Sequence, residues 1–149
     1  MIEIGKIFTF RFLIYNKMDL RCKDCAKCCY ETEMLLSEQD IERILQKFSS
    51  KFSRKDFVIE NEEGLNQLKN VDGHCVFLDS TSDDEKCHIY HYRPCGCRFY
   101  PMIFDPYKRQ CVLDRDCPNA NQFYIERQNF KKACQKLKKY LTKELSLEF

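Results

Sequence analysis

The chain has 149 residues, of which 44% are hydrophobic and 32% charged, and its formal net charge is +2. This length and apolar content suit one domain with a modest core, and the few glycines (4) and prolines (4) argue against a low-complexity or disordered chain. So small a net charge gives no general indication of nucleic-acid binding. The unusual feature is the cysteine content, which amounts to eleven thiols.

The N-terminal segment contains an apolar stretch, Ile7 to Tyr15, that resembles the hydrophobic part of a secretory signal. Arg11 interrupts this stretch, no small-residue cleavage site follows, and no segment is long enough to span a bilayer. We therefore expect a cytoplasmic protein without membrane association. Residues 1–17 are interpreted as an N-terminal extension and residues 18–149 as the domain, with Met18 as an alternative start.

Four cysteines near the N-terminus form a Cys-x2-Cys-x2-Cys-Cys run, namely Cys22, Cys25, Cys28 and Cys29. Thiolates three residues apart can converge from one tight turn on a soft ion or a cluster. In a reducing compartment, an odd number of cysteines with an adjacent pair favours metal ligation over disulfides. The run therefore predicts a metal site.

The segment after the run predicts a helix and then less regular structure. Ser37 is a helix cap with an acidic residue three positions on, and apolar residues at helical spacing predict a helix near residues 38–48. Between residues 49 and 72 the periodicity is weak. Asp56–Glu60 is a candidate edge strand and Glu63–Lys69 a candidate short helix.

The second half of the chain predicts a hairpin, loops and a final helix. His74–Leu78 and Cys87–Tyr90 are apolar segments around a polar loop, and a hairpin would bring Cys75 and Cys87 together if its register allowed. Prolines keep the next segment in loops. An apolar repeat from Phe123 to Leu145 predicts a basic, amphipathic C-terminal helix. The expected fold class is therefore α+β: a small, irregular, metal-organised domain with short strands, an early helix and this last helix.

Adjacent side chains of an extended segment point to opposite faces, so Cys28 and Cys29 are poorly placed to serve one metal unless the backbone turns sharply between them. Two neighbouring sites are the natural inference. The cysteines on loop-like sequence suffice to complete two four-thiolate sites; they are Cys75, Cys87, Cys95, Cys97, Cys111 and Cys117. Cys134 is interpreted as a free, buried, hydrophobic side chain on the last helix. Cys111 is left open between a strand residue and a ligand.

Several separated motifs together resemble the YkgJ-type cysteine cluster family. They are the run Cys22 to Cys29, Cys75-Val-Phe-Leu, Cys87-His-Ile-Tyr-x2-Arg93-Pro94-x2-Cys97-Arg98-x-Tyr100-Pro101, and Cys117-Pro118. The resemblance implies a domain that chelates zinc or iron. Matched by position, it implies the ligands Cys22, Cys25, Cys28, Cys29, Cys75, Cys87, Cys97 and Cys117. Cys95 lies outside that pattern, but its position two residues before Cys97 would allow it to substitute.

Eight thiols suggest two tetrads. One partition joins Cys22, Cys25 and Cys28 with Cys117, and groups Cys29 with Cys75, Cys87 and Cys97, although interleaved assignments are equally open. We favour one or two iron–sulfur clusters of the 4Fe-4S type, because three cysteines at i, i+3 and i+6 are closer to a ferredoxin run than to zinc knuckles. Zinc is the alternative. Arg93 and Arg98 are candidate cofactor-binding cations, whose charge would offset that of the thiolates. The alternative is that they cap loop carbonyls or pair with Asp105 or Asp114.

Three functions follow from these features. The first is an iron–sulfur protein that transfers electrons to, or supports, a larger enzyme, with a protein as its partner and no nucleic acid expected. The second is a zinc-stapled interaction module that contacts RNA through the basic helix. The third, implied by flagellin lysine methylase relatives of the family, is a methyltransferase-related activity. No catalytic residue is assigned, and whether the protein is an enzyme is left open.

Overall fold

The computed structural model describes residues 25–81 and 86–149, so Cys22 and the predicted extension over residues 1–17 lie outside the described residues. The fold class is α+β, as predicted. Within that part of the chain the α-helices are α1 (Glu38–Phe48), α2 (Arg54–Phe57), α3 (Cys95–Phe99) and α4 (Arg127–Lys143). Short 3-10 turns cover Lys27–Cys29, Tyr90–Tyr92 and Ala120–Gln122. No helix of the described segments is both long and apolar enough to cross a membrane.

Within the described residues the strands are short, and each pairs with a strand near it in sequence. Isolated bridges also join Tyr30 to His74 and Leu35 to Gln67. They are β1 (Val58–Glu60), β2 (Asn66–Leu68), β3 (Asn70–Val71), β4 (His74–Cys75), β5 (Leu78–Asp79), β6 (Lys86–Cys87), β7 (Met102–Asp105) and β8 (Gln110–Leu113). They form four antiparallel two-stranded sheets in the order β1-β2, β3-β4, β5-β6 and β7-β8. Two-stranded sheets are marginal alone, so their stability depends on packing against the helices and on each other.

The first core gathers around α1. Ile41 and Ile44 of this helix are buried, and they share a cluster with Phe57 and Phe77, whose ring centres lie 5.3 Å apart. The helix begins with a capping box, because the Ser37 hydroxyl accepts from the Asp40 N–H while the Asp40 carboxylate accepts from the Ser37 N–H. The predicted helix over residues 38–48 is confirmed.

The second core lies between the β7-β8 hairpin and α4. Its buried members are Met102, Cys111, Leu137, Tyr140 and Leu145. The predicted C-terminal helix is confirmed. The apolar repeat extends beyond both of its ends, because Phe123 precedes the helix and Leu145 follows it.

The structure of residues 56–69 differs from the edge strand and the short helix predicted there. Asp56 and Phe57 belong to a helical turn, and the strand begins only at Val58. The predicted helix over Glu63–Lys69 is wrong, because residues 66–68 form a strand. The Asn61 side chain accepts from the N–H groups of Glu63 and Leu65 at 3.0 and 2.9 Å, which folds this stretch into a turn before a helix can start.

The hairpin predicted between the two apolar segments is confirmed, although Cys75 is not part of it. Leu78 of β5 pairs with Cys87 of β6, whereas Cys75 pairs with Asn70 in the preceding hairpin. The β7-β8 hairpin was not predicted. Pro101 and Pro106 flank β7 and end it without preventing it, because a strand tolerates proline at its margins.

Cys111 and Cys134 form a disulfide between β8 and α4, with their Cα atoms 5.8 Å apart. The interpretation of Cys134 as a free thiol is therefore wrong, and for Cys111 the strand alternative is correct. The apolar face of the helix does carry Cys134, but that face packs against the strand that carries Cys111, and this long-range pairing leaves no mark in the local pattern.

We expect Cys134→Ser to lower the free energy of unfolding by about 3 kcal/mol under non-reducing conditions, since the two cysteines are 23 residues apart and the bond restricts the unfolded chain. Chemical denaturation with and without dithiothreitol measures this difference. In reductant, most of the gap between the variant and the parent should disappear. A gap of equal size in both conditions would show that the bond adds no stability.

Candidate metal centre

The predicted thiol ligands lie around two neighbouring cavities. The larger cavity has a volume of about 60 Å³, and its wall carries the thiols of Cys28, Cys29, Cys75, Cys87 and Cys97. The smaller cavity, about 30 Å³, is lined by Cys25, Cys28 and Cys117. Cys28 lines both cavities. Every predicted ligand except Cys22, which lies outside the described residues, therefore lies at one cavity or the other.

A tight turn positions the end of the cysteine run. Ala26 adopts a left-handed conformation with φ of 47°, and the Cys29 N–H donates to its carbonyl oxygen at 2.8 Å. The following 3-10 turn directs Cys28 and Cys29 so that the Cys29 thiol hydrogen-bonds the Cys28 sulfur. The backbone thus makes the sharp turn that was the exception in the sequence-based prediction, and both Cys28 and Cys29 line the larger cavity.

Cys75 is brought beside this turn by contacts between distant segments. Tyr30 forms an isolated antiparallel bridge with His74, and the Glu31 N–H donates to the Gly73 carbonyl oxygen at 2.8 Å. The side-chain amide of Asn70 bonds both backbone groups of Thr32, accepting from its N–H at 3.2 Å and donating to its carbonyl at 2.9 Å. These bonds hold the β3-β4 hairpin against the cysteine run.

Cys87 and Cys97 complete the wall of the larger cavity. Cys87 ends β6, and the next N–H, that of His88, donates to the Phe77 carbonyl oxygen at 2.8 Å. Cys97 lies in the single turn of α3. Five thiols therefore reach one cavity from four separate segments of the chain.

Cys117 reaches the smaller cavity from the loop after β8. Its N–H donates to the Asp114 carbonyl oxygen at 3.3 Å, and the Asp114 N–H donates to the Pro101 carbonyl oxygen at 2.7 Å. The Tyr100 hydroxyl donates to the Asp114 carboxylate at 3.0 Å. Tyr100 lines both cavities, as Ala26 and Cys28 do.

The thiols of the larger cavity differ in acidity. The hydrogen bond from Cys29 lowers the pKa of Cys28 to about 7, and the positive charge of Arg93 acts in the same direction. The same hydrogen bond, together with burial, raises the pKa of Cys29. Burial raises the pKa of Cys75 to about 11 and raises that of Cys97 as well. Among Cys28, Cys29, Cys75 and Cys97 of the metal-free chain, Cys28 is therefore the most acidic thiol.

The two candidate arginines occupy different places. Arg93 lines the larger cavity, and its guanidinium carbon lies 3.9 Å from the centre of the Tyr90 ring while Nε donates to the Tyr90 carbonyl oxygen. Arg98 lines neither cavity and donates to the His91 carbonyl oxygen at 3.3 Å. Both arginines cap loop carbonyls, but only Arg93 also borders a cavity.

Cys95 and the histidines lie away from both cavity walls. Cys95 packs with the second core beside Asp40 and Arg43, and burial raises the pKa of its thiol to about 12. His74 bonds the Cys75 carbonyl oxygen through Nδ1 and the Ser80 hydroxyl through Nε2. Cys97, two residues after Cys95, lines the larger cavity. The structure therefore distinguishes the two cysteines, a choice that the sequence left open.

Met34, Asp40 and Arg43 contribute to the site in ways that the sequence did not indicate. Met34 adds a thioether to the wall of the larger cavity. Its Sδ lies 2.2 Å from the point that a Cβ at Gly96 would occupy, so a side chain at that position would displace it. Asp40 and Arg43 hold the loop that enters α3. The cap pattern predicted Asp40 as a helix cap, but no sequence signal indicated its distant partners.

The donor set suits a soft metal centre, since thiols select zinc, iron–sulfur clusters and copper(I). In residues 25–81 and 86–149, no three histidine, cysteine, aspartate or glutamate side chains converge tightly enough to hold one ion as they stand. Ligation of a single ion therefore requires the thiols to move toward one another. Cys29, Cys75, Cys87 and Cys97 would hold a group in the larger cavity, and Cys25, Cys28 and Cys117 one in the smaller.

We expect iodoacetamide to alkylate Cys28 of the metal-free, reduced chain at least about tenfold faster than Cys75 at pH 7.5, since the thiolate is the nucleophile. The rate at Cys28 should rise with pH through about 7 and then level off, because its pKa is lowered to about 7. Cys75 should stay slow until the pH approaches its raised pKa of about 11. Mass spectrometry of peptides after timed quenching gives each rate, and equal rates at pH 7.5 would contradict these acidities.

A family model described as "Putative zinc- or iron-chelating domain", CxxCxxCC, matches residues 21–135. An uncharacterized protein of Methanocaldococcus jannaschii is 31% identical over 102 residues, a match that covers 66% of this chain and 54% of the relative. The chain thus spans about half the length of that curated relative. No solved structure matches. Because the family model covers most of the chain and includes every thiol that lines the two cavities, the protein belongs to the CxxCxxCC family of zinc- or iron-chelating domains.

Proposed function

We propose that the protein carries iron–sulfur clusters and serves as an electron carrier or an accessory to a larger enzyme. The observation that carries this proposal is the gathering of seven thiols around two neighbouring cavities, with Cys28 lining both. Membership of a metal-chelating family supports metal binding, and the cysteine run supports iron over zinc. A bound cluster would supply one-electron redox chemistry.

The cavity walls support a division of the ligands into two tetrads. Cys29 lines only the larger cavity, where Cys75, Cys87 and Cys97 complete a set of four. Cys25, Cys28 and Cys117 line the smaller cavity, and Cys22 is the remaining thiol of the run. Cys28 is the thiol that lines both cavities. Two centres divided in this way would be neighbours, which suits the passage of an electron through the protein.

The chain's own residues tune such a site through charge and burial. Arg93 places a cation at the wall of the larger cavity, where it would offset the negative charge of the thiolates and favour the reduced state. Tyr90 and Tyr100 line the same wall and limit the access of water.

We place the protein in the cytoplasm with a protein as its redox or enzyme partner. In that compartment, the Cys111–Cys134 bond would be exposed to reduction.

Zinc is the second candidate. The described strands form two-stranded sheets, and the thiols reach the larger cavity from four segments of the chain. Tetrahedral zinc sites that join such segments would staple the domain and contribute directly to its folding. The same structure would then be an interaction module without redox chemistry.

Anaerobic purification followed by iron, sulfide and zinc analysis decides between these candidates. Iron with equal sulfide and a visible absorption band that bleaches with dithionite would support the cluster. Stoichiometric zinc in colourless protein would support the zinc module instead. Folded protein that contains neither iron nor zinc as isolated under these conditions would overturn both.

Serine variants test the proposed division of ligands. Cys75→Ser should remove the metal of the larger cavity, and Cys117→Ser that of the smaller, so each should lose about half of the bound metal if one centre survives alone. Cys95→Ser is the matched control, because Cys95 borders neither cavity, and it should retain all of the metal. Metal analysis and electron paramagnetic resonance read out which centre remains. Loss of the same signal from Cys75→Ser and Cys117→Ser would contradict two separate centres.

Arg93→Gln should lower the reduction potential of the larger centre by about 60 mV, a tenfold change in a one-electron equilibrium, because it removes a cation that favours the more negative reduced state. Arg98→Gln is the control, since Arg98 borders neither cavity, and its effect should be much smaller. Anaerobic redox titration measures both. Equal shifts would show that bulk charge, and not the place of Arg93, sets the potential.

A further inference from the structure

The loop that enters α3 is held on both sides of Pro94 by one pair of charged side chains from α1. The Asp40 carboxylate accepts from the Cys95 N–H through Oδ1 at 3.0 Å. Arg43 donates through Nη2 to the Arg93 carbonyl oxygen at 3.1 Å and also to Asp40 Oδ1. The carboxylate and the guanidinium are therefore bonded to each other and to the two backbone groups that flank the proline.

This segment carries the side chains that form one side of the larger cavity. Arg93 and Pro94 line the cavity, and so does Cys97, two residues after the N–H that Asp40 holds. Since α3 is only five residues long, from Cys95 to Phe99, it has little stability of its own to fix the direction of Cys97. The placement of Cys97 therefore depends on what holds the start of this helix.

The charged pair is itself fixed to the second core. The Asp40 side chain is fully buried, and its other oxygen, Oδ2, accepts from the Tyr140 hydroxyl of α4 at 2.8 Å and from the Ser37 N–H at 3.3 Å. With both oxygens bonded, the carboxylate has one orientation. Any shift of the Cys95 N–H would break a charge-assisted hydrogen bond in a buried place, which is costly.

Stability alone explains this pair poorly. The Asp40 side chain is fully buried and that of Arg43 is 27% exposed. Ion pairs buried to this extent often fail to offset the desolvation of their charges, and an apolar pair of similar volume is often at least as stable. In addition, the buried Nε of Arg43 has no hydrogen-bond partner among the described residues, which costs further stability. What the pair provides instead is a single geometry for the backbone on both sides of Pro94.

We propose that Asp40 and Arg43 are positioning residues of the larger cavity, which hold Arg93 and Cys97 at its wall by fixing the peptide groups beside Pro94. Neither side chain lines the cavity, so both act through the loop. The consequence for metal binding rests on the proposed function. The positioning itself belongs to the metal-free chain and can be measured there.

The first experiment uses the reduced, metal-free chain and the variants Asp40→Asn, Arg43→Gln and Tyr140→Phe. The readout is the rate of Cys97 alkylation by iodoacetamide, divided by that of Cys75 in the same sample. We expect this ratio to rise about tenfold in Asp40→Asn and Arg43→Gln, the equivalent of about 1.4 kcal/mol in the opening equilibrium of α3. Tyr140→Phe is the matched control. It removes one hydrogen bond to Asp40 Oδ2, but the Ser37 N–H still holds that oxygen, and the bonds of Oδ1 to Arg43 and to the Cys95 N–H are unchanged. It should lower the melting temperature but leave the ratio unchanged.

The second experiment loads the same variants with iron and sulfide under anaerobic conditions. Asp40→Asn and Arg43→Gln should change the visible circular dichroism and the electron paramagnetic resonance signal of the larger centre. Tyr140→Phe should change neither. Arg43→Gln keeps the test informative if Asp40→Asn does not fold, because Arg43 is partly exposed. If the parent protein binds no metal, the proposed function fails, and the alkylation ratio alone decides the positioning role. An unchanged ratio in the two loop variants, or an equal rise in Tyr140→Phe, would overturn it.

Discussion

The buried carboxylate of Asp40 is the junction on which the described structure depends. It caps α1 in the first core, accepts from α3, and accepts from Tyr140 in the second core across 100 positions of sequence. A carboxylate without exposure to water is costly unless hydrogen bonds satisfy it, and here each oxygen has two donors. The two cores are therefore joined by a polar contact that permits very little variation in geometry.

The larger cavity lies between the loop that Asp40 holds and the short hairpins β3-β4 and β5-β6. Cys75 and Cys87 come from hairpins with only two residues in each strand. The cysteine run is joined to the first of these hairpins by the bridge at Tyr30 and by the hydrogen bonds of Glu31 and Thr32. Such elements bury little apolar surface and contribute little stability of their own. A bound metal centre would connect them directly, so metal binding and folding of this region should be strongly coupled.

The sequence predicted the parts of the fold that have a local cause. The cap at Ser37 and the helical spacing after it were enough to predict α1, and the long apolar repeat was enough to predict α4. By contrast, the turn at Asn61 and the β7-β8 hairpin were missed. Helical propensity predicted a helix over Glu63–Lys69, and the prolines near β7 predicted loops. Local preferences of this kind are weak compared with tertiary contacts.

The same contrast between local patterns and long-range contacts applies to the thiols of the site. Their spacing and family pattern picked out the cysteines that line the cavities, because ligand spacing is a property of the sequence itself. What the sequence could not give was the choice between Cys95 and Cys97, the partner of Cys134, or the role of Arg43. Each depends on which face of a short element meets a segment far along the chain, as with Asp40 and Cys95, 55 positions apart.

The position of the disulfide in the chain has a consequence for the order of biosynthesis. Every thiol that lines a cavity lies at or before Cys117, whereas Cys134 is the last cysteine to leave the ribosome. Because a chain is made from its N-terminus, Cys111 has no partner for its native bond until all of these thiols have been synthesised. The thiols of both cavities are therefore complete before the covalent link that closes the second core can form.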